Sequence, residues 1–167
     1  MRYLYFLILS TIFLSCSGSH KVEFEEGNFS VRFPAKPESQ KFEVKMAAGP
    51  TDVHIFNYQS EDNLIHYQAA YNYMVGDDVI IPDTLFQNLI AGPAMQLKPM
   101  SIQKEDLKIE GHPGARYRLL GVNSATVYDI YLIDRDVYQL AIINYEPRIP
   151  TDAEIKAFMG SFKLLGK

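Results

Sequence analysis

Two runs, Val127 to Ile133 and Val137 to Tyr145, are rich in β-branched and aromatic residues, and only Asp134-Arg135-Asp136 separates them. A polar triplet is far too short for the crossover that parallel strands need, so the two runs pair as an antiparallel hairpin. The rest of the sheet follows the same logic. Asp52 to Gln59 and Leu64 to Met74 flank the polar tip Ser60-Glu61-Asp62-Asn63 and form a second long hairpin. In it Ile65, Tyr67, Ala69, Tyr71 and Tyr73 share one face, and a turn centred near 61.5 sets His54 against Ala69 and His66 against Asn57. Val22 to Glu26 and Phe29 to Phe33 alternate about Gly27-Asn28, predicting a short hairpin. Gln40 to Met46 places Phe42, Val44 and Met46 on one face ahead of a turn at Ala48-Gly49-Pro50. Ser101 to Glu110 leads into the dense turn signal Gly111-His112-Pro113-Gly114, after which Ala115 to Val122 reads as a strand.

Two segments have helical period instead. Thr84-x-x-Gln87 has the form of a capping box, and Leu85, Phe86, Leu89 and Ile90 recur at helical spacing, predicting a helix from near Asp83. Gly92-Pro93 predicts a kink or break near residue 92, with Met95 and Leu97 in a second short piece. Thr151-x-x-Glu154 is another capping box, followed by an apolar stripe of Ile155, Phe158, Met159 and Phe162 that faces a sheet. The expected fold is α+β: a mainly antiparallel sheet with a mid-chain helix and a C-terminal helix packed on it, as one domain over residues 22–167. No repeat of fixed period runs through the chain.

The start of the chain carries an address. Arg2 precedes an apolar core from Leu4 to Leu14 that is too short to span a bilayer, the composition of a secretory signal. Phe13-Leu14-Ser15-Cys16 holds the chain's one cysteine and resembles a bacterial lipoprotein box, although Phe13 and Leu14 stand where that box usually has Leu and a small residue. The resemblance implies that residues 1–15 are a signal peptide, that Cys16 is acylated, and that residues 16–21 are a short tether. Two or three acyl chains anchor a protein stably where one does not, so lipid on Cys16 would replace any membrane-binding patch. Ser17 after the cysteine implies the outer membrane under the sorting rule of enteric lipoproteins.

Composition narrows the partners. A formal net charge of −4 argues against nucleic acid and against an electrostatic grip on anionic lipid. The chain has no Trp, which weakens a sugar-stacking site unless Tyr substitutes. His20, His54, His66 and His112 show no metal-ligand spacing, and Gly76-Asp77-Asp78 with Asp83 lacks the order of a calcium loop. Asp134-Arg135-Asp136 reads as a hairpin tip that could also dock a partner. No Gly-x-Ser-x-Gly and no phosphate-binding glycine loop is present. The expectation is therefore no catalytic, cofactor or metal residues. The best binding candidates are Tyr67, Tyr71 and Tyr73, joined by Tyr128, Tyr131 or Tyr138, because Tyr pairs a large rigid area with a polar tip. The competing reading is that these rings fill a half-buried sheet face under a helix.

Phe29-x-Val31-x-Phe33-Pro34-x-x-Pro37, the mid-chain helix, Gly111-x-Pro113-Gly114 ahead of a strand and hairpin, and Phe158-x-x-Ser161-Phe162 are together similar to the PsbP-like fold. That group includes small bacterial lipoproteins of the DcrB type. The resemblance spans most of residues 22–165 and implies a central antiparallel sheet with helices on its faces, in proteins that act as accessory or docking factors. The function expected on these grounds is a membrane-anchored, non-enzymatic envelope lipoprotein that docks another envelope protein. The alternative is a small-ligand or glycan binder with a Tyr-lined groove between sheet and helix.

Overall fold

The computed structural model describes residues 18–46 and 49–166. The signal segment, Cys16, Ser17 and Ala48 lie outside the described residues, as does the side chain of Met46. The fold is α+β. Its elements in chain order are β1 (His20–Phe24), β2 (Phe29–Phe33), β3 (Glu38–Met46), β4 (Gly49–Gln59), β5 (Ile65–Tyr73), α1 (Pro82–Leu97), β6 (Ser101–Ile109), β7 (His112–Leu120), β8 (Ala125–Ile133), β9 (Asp136–Asn144), α2 (Asp152–Phe158) and β10 (Lys163–Leu164).

Seven strands form one antiparallel sheet in the order β3-β4-β5-β9-β8-β7-β6. It consists of two meanders, β3 to β5 and β6 to β9, joined in sequence by α1 and sewn together along β5 and β9 from Ile65 opposite Asn144 to Tyr73 opposite Asp136. A small sheet, β1-β2-β10, covers one face of the large sheet together with α2, while α1 covers part of the other. Strand alternation divides the core accordingly. Tyr138, Leu140 and Ile142 pack under the small sheet with Phe29, Phe33 and Phe158, whereas Tyr128, Ile130 and Leu132 pack under Phe86 and Ile90 of α1.

The register gives the sheet two ends. At one, here the base, Ile65, Asn144, Ala125, Leu120 and Ser101 lie side by side. At the other, the crown, Tyr73, Asp136 and Ile133 are level. β1 climbs from base to crown. Its first residue, His20, is opposite Phe33, whose ring packs on Phe158, while its last, Phe24, packs on His54 and Tyr71.

Several local readings change. The β4–β5 hairpin sets His54 opposite Tyr71 and His66 opposite Gln59, two residues away from the expected pairing. Its longer loop is held by Ser60 N–H donating to the Ile65 carbonyl and by Asp62 accepting from Ser60 Oγ and Leu64 N–H. A two-residue slip keeps every side chain on its face, so the face assignment survives. The 111–114 turn also moves. Glu110 (φ 49°) and Gly111 (φ 90°) make a two-residue turn, and β7 already includes His112, Pro113 and Gly114. Pro113 lies just past the end of the β7–β8 pairing, where no ladder donor is required. At Gly114 a Cβ would come within 2.5 Å of the Tyr131 ring, so this strand glycine lets that ring lie against the backbone.

The mid-chain helix is not broken at residue 92; α1 is continuous through Leu97, with Pro93 inside it. A proline there costs about 3 kcal/mol in an isolated helix. Contacts of Leu85, Leu89, Ala94 and Leu97 with the core beneath α1, on both sides of the proline, offset that cost. Nor does Thr84 cap the helix. Pro82 starts it two residues earlier, with Ile81 at the cap and no side-chain hydrogen bond.

The second capping box forms as expected: Thr151 Oγ1 accepts from Glu154 N–H, and the Glu154 carboxylate accepts from Thr151 N–H. Arg148 donates to both Glu154 oxygens at 2.9 and 3.0 Å. These bonds, Arg148's first, hold the Glu154 carboxyl down at about 2 against an ordinary 4.5. A depressed carboxylate contributes stability that is present above its unfolded pKa and is lost as pH falls through the folded one, here from about 4.5 to about 2. Thr151→Ala should cost about 1 kcal/mol at neutral pH. Glu154→Gln should flatten the fall in melting temperature across that acid window, and an unchanged slope would show that the pair contributes nothing.

Candidate functional site

The crown is assembled from segments far apart in sequence. The β8–β9 turn contributes Arg135, whose Nε donates to the Met74 carbonyl at 2.7 Å, while the Arg135 carbonyl accepts from Met74 N–H at 2.8 Å. The other guanidinium nitrogens reach the carbonyls of Asp78 and Val75 at 3.3 and 3.4 Å. One cation thus satisfies three backbone acceptors of the 74–81 loop, a segment with no strand partner of its own. Between this loop and the first turn of α1 lies an apolar cleft of about 410 Å³, walled by Val75, Val79, Ile81 and Leu85 and edged by Asp78 and Arg135. Val79 is 90% and Ile81 61% exposed, unusual for two such side chains in one loop.

A second cleft of about 220 Å³ adjoins it, and Val75 lines both. Its walls are Glu26, Asp52, His54, Tyr71 and Tyr73. Most polar groups here are already committed. Tyr71 Oη donates to Asp136 Oδ1 at 2.8 Å, Thr51 Oγ1 donates to the Tyr73 carbonyl at 2.6 Å, and Lys41 pairs with Asp52 at 2.9 Å. Burial, then the bond to Asp136, pushes the Tyr71 hydroxyl well above its ordinary pKa, so it stays a neutral donor. The hydrogen bond to Asp52 raises Lys41. His54 Nε2 lies 3.3 Å from Glu26 Oε1 but is not aligned for a hydrogen bond.

Carboxylates of Glu26, Asp52, Asp77, Asp78, Asp134 and Asp136 belong to the crown segments, against Lys41, Lys45 and Arg135. The crown therefore offers an apolar cleft inside an acidic surround.

The tyrosine row is split. Tyr67 and Tyr71 are each 8% exposed, their rings packed against Phe158 and against Phe24, Phe29 and Tyr138. Tyr73 alone is exposed, at 48%. Tyr131 and Tyr138 join the same interior, Tyr131 stacking on Phe162 at 5.5 Å, and Tyr128 lies in the core under α1. Tyr71 and Tyr73 still meet at the crown cleft, while Tyr67 borders a separate one between β2 and α2. His66 Nε2 and Gln68 Nε2 both reach Asn57 Oδ1, an amide cluster on the sheet. Asp83 holds Lys104 of β6. Among the described residues, no group of three or more His, Cys, Asp and Glu side chains is placed to hold a metal ion.

The Asp77-Asp78 loop and the Asp134-Arg135-Asp136 tip, more than 50 residues apart in sequence, are joined through Arg135. The apolar run Val79-Ile80-Ile81 between acids and Pro82 was the available sign of the cleft.

No family model matches the chain, and no curated protein matches it. Among solved structures it is similar to a Pseudomonas aeruginosa protein of unknown function, at 14% identity and a TM-score of 0.34, over 82% of this chain and 85% of that one. Among the described residues, no helix is long and apolar enough to cross a membrane.

Proposed function

We propose that this chain is a lipid-anchored envelope lipoprotein, held at the outer membrane through Cys16, whose crown docks another envelope protein without catalysing a reaction. The observation that carries this reading is polarity. The described chain begins beside the base, and the clefts with their exposed Val79, Ile81 and Tyr73 lie at the opposite end. A domain so tethered presents its crown away from the bilayer. Because Tyr71, Thr51, Lys41 and Arg135 spend their polar groups on fixed partners, the crown is suited to recognition by shape and charge. Its partner would be a basic segment that inserts an apolar side chain. The PsbP-like resemblance, with its accessory lipoproteins, points the same way. The ligand-binding reading, a Tyr-lined groove, has less support: the cleft lined by Tyr71 and Tyr73, about 220 Å³, is below the roughly 300–1,000 Å³ usual for small-molecule sites, the 410 Å³ cleft has no tyrosine in its walls, and the cleft between β2 and α2, about 360 Å³, is bordered by one tyrosine, the buried Tyr67.

A photoreactive residue at Val79, activated in cells, should trap a reproducible partner identified by mass spectrometry. The Arg135→Ala variant, with its loop released, should trap much less. Equal trapping by a probe at an exposed base residue would count against the crown. The anchor has its own test: Cys16→Ser should leave the membrane fraction while the domain still folds, and a folded variant that remains membrane-bound and uncleaved would overturn lipidation.

A further inference from the structure

The base carries a second exposed apolar surface that the docking reading leaves unused. Leu64, Met100, Val122, Tyr145 and Ile149 are all exposed, Met100 to 69% and Val122 to 66%. Register places four of them within a few residues of the strand ends at the base: Leu64 precedes β5, Met100 precedes β6, Val122 lies in the β7–β8 turn, and Tyr145 follows β9. Backbone bonds tie them into one end, Met100 N–H to the Leu120 carbonyl and Tyr145 N–H to the Leu64 carbonyl. Ile149 borders a small cleft with Ser101 and Leu120.

The start of the described chain is at the same end. Ser19 shares a cleft with Tyr67, Glu154 and Phe158, and Glu154 binds Arg148, whose carbonyl accepts from Asn144 Nδ2. β1 takes in His20 and Lys21, which were expected to belong to the tether, so four residue steps separate Cys16 from the first strand residue, a reach of at most about 14 Å. That is little more than the roughly 10 Å between packed layers. A lipid on Cys16 therefore brings the bilayer close to the base and keeps it far from the crown, at the other end of β1. The charges beside the apolar residues are mixed, Lys98 and Arg148 against Glu61, Asp62 and Glu146, which suits apolar contact better than attraction to anionic headgroups.

We propose that the base is a lipid-facing surface, with Met100, Val122 and Tyr145 seated in the headgroup and upper acyl region beneath the anchored domain. The proposal rests on the lipid-anchor reading. It adds that the domain has a fixed orientation on the membrane, base down and crown out, rather than swinging on its tether.

The absence of Trp in the chain makes a clean test possible. Val122→Trp at the base and Val79→Trp at the crown would each be made in the full-length protein, extracted from membranes and reconstituted into phosphatidylethanolamine–phosphatidylglycerol vesicles that contain brominated lipids. The intact mass of each preparation reports separately whether Cys16 is acylated. Val122→Trp should show a blue-shifted emission and at least a twofold loss of intensity to the brominated lipid, retained in about 1 M salt because apolar contact is not screened. Val79→Trp should show neither. An unquenched indole at position 122, or equal quenching at both positions, overturns the proposal whatever the mass of Cys16. Quenching at 122 in protein without acyl chains would keep the lipid-facing base and remove the anchor. A base covered by a second copy of the chain would give self-association with no quenching, which also overturns it.

Discussion

Truncating Phe158 to alanine is expected to lower the free energy of unfolding by about 3–5 kcal/mol, a large share of what a domain of this size has. The side chain is 2% exposed. Its ring centroid lies 5.0 Å from Phe33 of β2 and 5.3 Å from Tyr67 of β5, the latter edge to face, so one residue bridges α2, the small sheet and the large sheet. Its neighbourhood is poorly placed to collapse into the hole. The Phe158 carbonyl accepts from Ser161 Oγ at 2.6 Å, and that oxygen accepts in turn from Arg32 N–H at 2.8 Å, fixing the backbone to β2. Urea unfolding should show a lower midpoint with an unchanged slope. As a control, Phe42→Ala on the exposed edge strand β3 should change stability by less than about 0.5 kcal/mol. A Phe158→Ala cost below about 1 kcal/mol would mean that α2 contributes little to holding the layers together.

What could be read from sequence follows from where each segment packs. β8 and β9 are the central strands of the large sheet, buried on both faces, so their β-branched and aromatic composition announced them. α2 was legible because its cap is local, Thr151 and Glu154 closing on each other. β6 was not legible as a strand. It is an edge, exposed on both faces along most of its length, and Lys104, Glu105, Asp106 and Lys108 that guard it against edge pairing also erase the alternation. The continuity of α1 through Pro93 depends on contacts with β7 and β8 that no local signal contains. The crown was the least visible part. Arg135 looked like a solvated hairpin tip because its partners, Met74, Val75 and Asp78, contribute carbonyls, which carry no residue identity. Tyr67 and Tyr71 were seen as a row, but alternation reports only a shared face, and the covering small sheet decided what that face meets.

The same alternation conceals a buried charge on β8, and removing its partner should have an effect comparable to the loss of Phe158. Asp129 is 1% exposed and faces the layer under the small sheet, where Arg116 of β7 grips it with two bonds, Nε to Oδ1 at 2.6 Å and Nη2 to Oδ2 at 2.7 Å. Burial pushes the Asp129 carboxyl above its ordinary pKa, opposed by the Arg116 bonds, while those bonds raise Arg116. Arg116→Leu strands the carboxylate without its counter-charge and should cost about 3–5 kcal/mol near neutral pH. With the opposing bonds gone, the folded-state pKa of Asp129 rises further. A raised acid pKa contributes stability that is full below the unfolded value, about 3.9, and is lost as pH rises through the folded one. The deficit of Arg116→Leu relative to the parent should therefore shrink toward about pH 4 and widen toward about pH 7. Arg116→Leu combined with Asp129→Leu removes the orphaned charge and should recover much of the loss, since a buried ion pair offsets little more than its own desolvation. A deficit that stays flat with pH, or a double variant no better than the single one, would show that Arg116 acts through packing of its stem rather than through the charge it neutralises.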